Sequence, residues 1–438
     1  MHNIYIRFIK HVFKKKVQIN ISQFYKEKNG LEEMYLIISV KNNLLLIFAF
    51  IPLLFMGCDS TGRIEGFSMD LESMDAVQFT KVLGNGINLG NTFESNAANW
   101  MGYNAEPVYY ETGWGQPVTT KDMLKAMKDS GFDSIRIPVA WTSTMDWRNN
   151  DYEINNDFMQ RVKEVVDWAL DAGLYVIIND HWDYQWWGLF GSNKSQAYKI
   201  FDAIWNQVGT TFKDYDYRLI FEAGNEEWGE RFNDEVDKVK GNLTTSEQYL
   251  LLTELAQHFV DKIRAQDSKN EKRFLLIPGF NTDIDKTCSD LYVLPEDKSN
   301  SIKKLLVSVH YYAPATFCIV SDPTNSWGYK AKWGSQSDIS EQNKLLAKME
   351  KFVKQGYGVI VGEYACVLAM TQGYNTQDTS DDVYVRKEGD TAWIKNVLDN
   401  CDKYNYAPFL WDCNTYFSKT GKLGFTGNYT DVGQIFSE

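Results

Sequence analysis

Two stretches of the chain decide its fold, RLIFEAGNE at residues 218–226 and GVIVGEY at residues 358–364. Each is an apolar run of strand length that ends at or beside a glutamate. Runs that are apolar at nearly every position are typical of strands in a parallel sheet, because both faces of such a sheet are covered by helices. These two stretches therefore predict buried parallel strands with a carboxylate at the carboxyl end of each.

Six similar runs complete a set of eight predicted strands, and amphipathic segments separate many of them. The predicted strands are residues 86–91, 134–141, 175–181, 218–226, 274–280, 305–312, 358–364 and 407–413. The predicted helices are residues 120–130, 156–172, 195–212, 245–266, 340–355 and 391–404. Eight such units predict a single-domain α/β protein with a (β/α)8 TIM barrel. No G-x-G-x-x-G follows the first strand, which disfavours a dinucleotide-binding sheet.

The composition favours a globular protein with an uncharged partner. The chain has 438 residues, 44% of them hydrophobic, which is enough for a sizeable core. Its formal charge of −13 gives no electrostatic reason to expect nucleic acid, since phosphate binding needs clustered Lys and Arg. Aromatic residues make up 15% of the chain, and flat aromatic faces stack well on the apolar faces of sugar rings.

The first part of the chain has the pattern of an export signal. Residues 1–58 are predicted to be a leader, in which residues 44–56 form an apolar run shorter than a transmembrane helix. The run resembles a bacterial lipoprotein signal with Cys58 as the lipidated residue, although Phe55 and Met56 depart from the usual pattern. A plain signal peptide or a membrane anchor remains an alternative, and Met34 is an alternative start. A linker at 59–73 then leads to a catalytic domain at 74–438.

Nothing in the sequence indicates a metal or a cofactor. The six cysteines contain no C-x-x-C pair, and no H-E-x-x-H motif occurs. If Cys58 carries lipid, five cysteines remain and at least one is unpaired, so a disulfide framework is not implied. We expect a monomer that works without a cofactor.

Polar residues cluster at the predicted carboxyl ends of the strands, where TIM barrels carry their chemistry. They are Arg136, His181, Asn225, Glu226, His310, Tyr312, Glu363 and Trp411. Any one of these residues could have an ordinary structural role. Chance does not readily place all eight at the same end of the barrel. Glu226 and Glu363 can act as a pair, in which one carboxyl protonates a leaving oxygen and the other attacks the anomeric carbon. Their separation decides between retention, at about 5–5.5 Å, and inversion, at about 6.5–9.5 Å.

The motifs around these residues resemble one known family. They read GINLGNTFE, SIRIPVAW, VIINDHWD, IFEAGNEEW, SVHYYAP, VIVGEYA and FLWDC. From about residue 86 to residue 414 the chain is similar to glycoside hydrolase family 5, the cellulase-type enzymes of the Asn-Glu/Glu barrel clan. The resemblance implies a TIM barrel and a retaining mechanism.

The resemblance also implies a role for each rim residue. Glu226 would be the acid/base and Glu363 the nucleophile. Asn225 would bind the sugar 2-hydroxyl, while Arg136 and Tyr312 would keep the nucleophile ionised and oriented. The remaining three would line the −1 subsite, with Trp411 as its floor and His181 and His310 at its sides.

The chain departs from the family pattern at two places. Glu227 follows Glu226 where a proline is common. Its carboxylate either perturbs the pKa of the acid Glu226 or points into solvent, and we expect it to point into solvent. After strand three the chain has Trp182, Asp183, Trp186 and Trp187 where many members carry a second histidine. Trp182 and Trp186 are predicted either to form a sugar-stacking wall or to belong to a hydrophobic cluster within the loop. Trp228, Trp327 and Trp333 raise the same question.

These features together predict a retaining endo-β-1,4-glycanase that acts on a β-linked plant cell-wall polysaccharide, with cellulose-type β-glucan first. Xyloglucan, mixed-linkage glucan and β-mannan are alternative substrates, because loop contacts that no motif reports decide between them. Exo action is also open. A non-catalytic glycan-binding lipoprotein is the alternative of a different class, and the intact glutamates argue against it.

Overall fold

The computed structural model of the chain divides into two units, residues 1–69 and residues 70–438. It describes strands at Ile19–Lys28, Leu31–Val40 and Asn43–Leu44 in the first unit. In the second it describes residues 70–95, 98–183, 186–372 and 383–437. The three strands of the first unit pair antiparallel with one another. Most of the predicted signal, including Cys58, lies outside the described residues.

Eight parallel strands of the second unit form a closed barrel, as predicted, in which each strand pairs with its neighbours in chain order and the eighth pairs with the first. They are β1 (Gly86–Asn88), β2 (Ser134–Ile137), β3 (Tyr175–Asn179), β4 (Leu219–Glu222), β5 (Leu275–Pro278), β6 (Leu305–Tyr311), β7 (Gly358–Tyr364) and β8 (Tyr406–Leu410). The observed strands are mostly shorter than the predicted ones. Asn225 and Glu226 therefore lie in the loop after β4 rather than in the strand.

Helices lie between most of the strands. They are α1 (Ala76–Leu83), α2 (Lys121–Asp129), α3 (Asn156–Asp171), α4 (Lys194–Thr211), α5 (Thr245–Arg264), α6 (Gln336–Ala347), α7 (Asp390–Tyr404) and α8 (Thr430–Ser437). Shorter helical turns occur at Ala98–Met101, Pro107–Glu111, Leu189–Ser192, Ile284–Thr287, Ala315–Cys318 and Glu350–Lys354. Among the described residues, no helix has both the length and the apolar character needed to cross a membrane.

Helix α3 shows how the sequence sets an element. Asn155 caps its first turn by accepting hydrogen bonds from the amides of Asp157 and Phe158. Its buried side chains recur every three or four residues and include Val162, Val165, Val166 and Ala169, so one face packs on the barrel. Gly173 follows with a φ of 85°, a conformation that favours glycine and ends the helix.

Two elements differ from the prediction. Helix α1 was not expected, although Asp75 and Gln78 form a capping box at its start. The helix predicted at 340–355 begins earlier, at Gln336, because Ser335 and Asp338 form another capping box, and it breaks before a second short helix at Glu350–Lys354. The connection from β5 to β6 contains a 3-10 turn at Phe280–Thr282 and a one-turn α-helix at Ile284–Thr287, and α8 has eight residues.

Candidate active site

Arg136 organises the carboxyl end of the barrel from inside β2. Its guanidinium is fully buried and donates four hydrogen bonds. Nε donates to Glu222 Oε2 at 2.6 Å and Nη2 donates to Asn225 Oδ1 at 2.9 Å. Nη1 donates to both Asn88 Oδ1 at 3.0 Å and Glu363 Oε1 at 2.9 Å. One side chain thus ties together residues on β1, β4 and β7 and in the loop after β4.

Glu363 lies next to the carboxyl end of β7, and donors reach both of its oxygens. Besides the bond from Arg136, the hydroxyl of Tyr312 donates to Oε2 at 2.9 Å. Gly362, directly before it, is packed against the β6 residues: a Cβ there would meet Ser308 Oγ at 2.8 Å and His310 Nε2 at 3.2 Å. Glycine at this position lets β7 approach His310, and the carboxylate is fixed in one orientation.

Glu226 is the second carboxylate of the site. Its Oε1 lies 2.8 Å from His310 Nδ1, and the same nitrogen lies 3.5 Å from Glu363 Oε2. One oxygen of Glu226, one of Glu363 and a ring nitrogen of His310 all lie within 4.8 Å of one another. Such a group could hold a metal ion, but Arg136 and Tyr312 already donate to both oxygens of Glu363. The short separation of the two carboxylates matches a retaining pair.

His181 and Trp411 form one wall of the site. Their rings stack at 5.7 Å between centroids with an interplanar angle of 8°. Asn179 Nδ2 lies 3.1 Å from His181 Nδ1, which leaves Nε2 to face Glu363 Oε1 at 3.8 Å. Burial, together with the charge of Arg136, holds the pKa of His181 well below its ordinary value. His181 is therefore neutral near pH 7 and adds no charge beside Glu363.

The two carboxyl groups have shifted pKa values in the empty cleft. Burial raises the pKa of Glu363, although His310 and Arg136 act in the opposite direction. Burial alone would raise the pKa of Glu226, but the hydrogen bond to His310 and the charges of His310, Arg231 and Arg136 together outweigh it, so the pKa is lowered. The Arg136 and Tyr312 contacts expected from the sequence are present, yet they do not overcome the burial of Glu363. Because the side chain of Glu226 is 44% exposed, a bound sugar would dehydrate it and raise its pKa.

The carboxylates lie where three cavities meet. A cavity of about 540 Å³ lies among the loops after β6, β7 and β8, and its lining includes Glu226, Glu363 and Trp411. A second, of about 290 Å³, lies among the loops after β1, β3 and β4 and shares these three residues. A third, also about 290 Å³, follows β5 and β6 and reaches Glu226. The cleft therefore extends to more than one side of the carboxylate pair.

Glu227 does not point into solvent, and that prediction was wrong. Its side chain is buried, lines the cavity among the β1, β3 and β4 loops, and has an Oε2 with no partner among the described residues. Burial, and next the charge of Glu226, raise the pKa of Glu227 well above its ordinary value. The raised pKa favours the neutral acid, which limits the negative charge that Glu227 adds beside Glu226.

Of the tryptophans after β3, Trp182 faces the cleft as a sugar-stacking residue would, and Trp186 belongs to a hydrophobic cluster within the loop. Trp182 is 43% exposed, lines the cleft and lies 6.1 Å from Trp114 between ring centroids. Trp186 is fully buried and stacks on Trp187 at 4.1 Å, so its assignment as a substrate-binding residue is corrected to a loop cluster. The structure also buries Trp228 and Trp333 and leaves Trp327 exposed.

The structure adds three buried polar residues that the sequence analysis missed. Asn88 and Glu222 bind Arg136 from inside β1 and β4, and a charged residue inside an apolar strand, such as Glu222, was the available signal. Glu94, at the end of GINLGNTFE, accepts hydrogen bonds from the amides of Asn91 and Thr92 and lines the cleft. Burial raises the pKa of Glu94 to about 7.

A closed (β/α)8 barrel that presents two close carboxylates in an open cleft defines the class of TIM-barrel glycoside hydrolases. The chain belongs to the cellulase family, glycosyl hydrolase family 5, whose model matches residues 91–417, and it is a glycoside hydrolase of the endoglucanase type. This confirms the family and the fold class predicted from the sequence.

Relatives and solved structures support this membership. Endoglucanase A of Paenibacillus barcinonensis is 33% identical over 388 residues, which cover 83% of this chain and 89% of the relative. A xyloglucan-specific endo-β-1,4-glucanase of Bacteroides ovatus is 31% identical, with 86% and 70% covered. The structure of a broad-specificity endoglucanase from Ruminococcus champanellensis with bound cellotriose superposes with a TM-score of 0.67 at 28% identity and covers 83% of this chain and 99% of that one.

Proposed function

We propose that this protein is a retaining endo-β-1,4-glucanase that cleaves cellulose-type β-glucan by double displacement, with Glu363 as the nucleophile and Glu226 as the acid/base. The observation that carries this proposal is the separation of the two carboxylates, whose oxygens lie within 4.8 Å of each other. That distance leaves no room for the water molecule that an inverting enzyme places between its carboxylate and the sugar ring.

In the first step, an oxygen of Glu363 attacks the anomeric carbon while Glu226 protonates the departing glycosidic oxygen. The attack forms a glycosyl ester and breaks the bond to the leaving sugar. Arg136 and Tyr312 hold Glu363 by one hydrogen bond to each oxygen, which fixes the attacking carboxylate beneath the ring. The leaving sugar carries the proton of Glu226 away as its new hydroxyl hydrogen.

In the second step, Glu226 acts as a base and removes a proton from water, whose oxygen then attacks the anomeric carbon and releases Glu363. The half-exposed side chain of Glu226 can be reached by that water once the leaving sugar has left. His310, bonded to Glu226 Oε1 at 2.8 Å, orients the carboxyl in both steps. Asn225 is held by Arg136 with its amide nitrogen available to the sugar 2-hydroxyl.

The shape of the cleft supports endo action. Because cavities extend from the carboxylates along the β6–β8 loops and along the β1, β3 and β4 loops, a polymer can cross the site with sugars bound on both sides. The exposed ring of Trp182 and the partly buried ring of Trp114 line the cleft on the second side. In an exo-acting enzyme, the cleft would be blocked on one side of the carboxylates.

A substrate panel tests the proposal. Barley β-glucan, carboxymethylcellulose, xyloglucan and glucomannan are incubated with the enzyme and with a Glu226→Gln and a Glu363→Gln variant. We expect the two glucans to give the fastest release of reducing ends, with a fast fall in viscosity that indicates internal cleavage. Binding without release of reducing ends by the unaltered protein would contradict the enzyme assignment. Faster cleavage of xyloglucan or glucomannan would reassign the substrate but leave the mechanism in place.

We also propose that the protein is exported and anchored by lipid at Cys58. The support is the sequence pattern alone, an apolar run at residues 44–56 followed by Gly57 and Cys58. Mass spectrometry of the mature protein should show an acylated Cys58, and Cys58→Ala should release the enzyme from membranes. An unmodified Cys58 would leave a plain signal peptide or a membrane anchor as the alternatives.

A further inference from the structure

Two cysteines lie at the edge of the cleft, and the proposed mechanism uses neither of them. Cys318 ends the short helix Ala315–Cys318 in the loop after β6, and Cys366 follows the end of β7 by two residues. Both side chains are buried and both line the cavity of about 540 Å³ that adjoins Glu226 and Glu363. The two loops therefore bring a pair of thiols to one wall of the substrate cleft.

The two cysteines are neighbours in backbone and in side chain. The amide of Val367, next to Cys366, donates to the carbonyl of Cys318 at 3.0 Å, so the two chain segments run side by side. Cys318 is also among the groups that raise the pKa of the Cys366 thiol, as expected of neighbouring side chains. A disulfide requires Cα atoms roughly 4.4–6.8 Å apart, and the backbone hydrogen bond between the two segments and the shared cavity wall bring the pair into this neighbourhood.

A buried cation beside the thiols assists thiol chemistry. Lys387 is buried, and its ammonium donates to the carbonyls of Phe317 at 2.6 Å and of Val320 at 2.5 Å, which holds it beside Cys318. Burial raises the pKa of the Cys366 thiol well above its ordinary value, while the charge of Lys387 acts in the opposite direction. The thiolate is the reactive form, so Lys387 favours the reaction that burial slows.

We propose that Cys318 and Cys366 form a disulfide that joins the loops after β6 and β7 at the edge of the cleft. A small disulfide such as oxidised glutathione is the oxidant and reaches the thiols through the cavity. One cysteine thiolate attacks the oxidant, forms a mixed disulfide and expels one thiolate. The second cysteine thiolate attacks the mixed disulfide and expels the other. The protein loses two electrons and two protons, and the oxidant becomes two thiols.

The bond would close a loop of about 50 residues that contains α6 and β7, which lowers the entropy of the unfolded chain. We expect the melting temperature to rise by about 5 °C on oxidation. Activity on a linear β-glucan should change by less than about twofold, since neither sulfur contacts the carboxylates directly and no catalytic contact is lost.

The experiment uses the folded, full-length enzyme, incubated with oxidised glutathione or with a phosphine reductant. The samples are then unfolded and alkylated. Mass spectrometry of the oxidised sample should show two fewer alkyl groups than the reduced one, and peptide mapping should find Cys318 linked to Cys366. Cys318→Ala and Cys366→Ala should each abolish the link and the rise in melting temperature. Cys288→Ala and Cys401→Ala, which change cysteines outside this cavity, should abolish neither.

The results distinguish a Cys318–Cys366 disulfide from free thiols and from a link to another cysteine. Alkylation of every cysteine after oxidation would overturn the proposal, as would a link from either residue to Cys413, which lines the same cavity. If a Cys→Ala variant fails to fold, the peptide map of the unaltered protein still decides. The test does not depend on catalysis, so an inactive enzyme that forms the link would refute the proposed function and leave this inference standing.

Discussion

A carboxylate oxygen of Glu226 lies within 4.8 Å of a carboxylate oxygen of Glu363, although the two residues are 137 positions apart in the sequence. The loop after β4 supplies one and the end of β7 supplies the other, across the open end of the barrel. Retention or inversion at the anomeric carbon depends on this distance.

The first prediction concerns stereochemistry. Because the carboxylates are close, hydrolysis of a cello-oligosaccharide should release the β-anomer first, and the α-anomer should appear only later by mutarotation. Proton NMR of the anomeric signals in the first minutes measures this. An α-anomer at the earliest time points would indicate inversion and would refute the double displacement.

The second prediction concerns the nucleophile. Glu363→Ala should reduce kcat on β-glucan by at least about 10³-fold, because the covalent intermediate can no longer form. Azide should restore turnover and give the α-glycosyl azide, since it attacks from the face that Glu363 occupies. Circular dichroism checks the fold, because the mutation leaves Arg136 buried without one of its two anionic partners. Turnover near the level of the unaltered enzyme would exclude Glu363.

The third prediction concerns pH. In the free enzyme the pKa of Glu226 is lowered and that of Glu363 is raised, so the form with Glu363 ionised and Glu226 protonated is a minor one. The kcat/KM profile should therefore have its acidic limb below the ordinary 4.5 of glutamate and its alkaline limb above it. Glu226 must be protonated, and His310 lowers its pKa. His310→Asn removes a contact that lowers the pKa of both carboxyl groups, so both limbs of the profile should move to higher pH. His258→Asn, whose histidine pairs with Asp202, is the control. If both limbs of the His310→Asn profile stay at the pH values of the unaltered enzyme, His310 does not lower the pKa of either carboxyl group.

The fourth prediction concerns Glu227. Because burial and the charge of Glu226 raise its pKa and favour the protonated form, glutamine imitates the shape and charge of that form, and Glu227→Gln should keep kcat/KM within about threefold. Glu226→Gln serves as the matched comparison and should lose at least about 10²-fold on substrates with poor leaving groups. Equal losses in the two variants would show that Glu227 takes part in proton transfer.

The fifth prediction separates two tryptophans of one loop. Trp182→Ala removes an exposed ring beside Trp114 and should raise KM for cello-oligosaccharides by about fivefold with little change in melting temperature. Trp186→Ala removes a fully buried ring and should destabilise the fold by about 3–5 kcal/mol. Thermal unfolding and steady-state kinetics on both variants measure this. The reverse pattern would mean that Trp186 binds sugar.

The fold could be predicted because its signals are local. The eight apolar runs and the amphipathic segments, such as α3, carry their periodicity in consecutive residues. Helix α1 was missed because it has only eight residues, although a capping box and buried side chains at Ala76, Phe79 and Leu83 mark it, and α6 was placed too late because the capping box at Ser335 was not recognised. The ends of the strands were harder to predict, because pairing with neighbouring strands determines where each strand stops. Glu226 was predicted at the end of a strand and lies in the loop after it.

The site was only partly readable from the sequence. The rim residues follow from strand ends, but whether a side chain is buried depends on what packs over it. Glu227 and Trp186 show this, because each is polar or amphipathic enough to face water and each is covered by neighbouring loops. Glu222 was missed since its partner Arg136 lies on another strand.

The sequence by itself determined the family, the barrel and the identity of the two carboxylates, because residue types and their periodicity lie along the chain. The tertiary structure decided the distance between Glu226 and Glu363, the protonation of Glu227 and the meeting of Cys318 with Cys366. Contacts between residues far apart in the chain set each of these, and a distance or a degree of burial is a property of the packed loops rather than of any single segment.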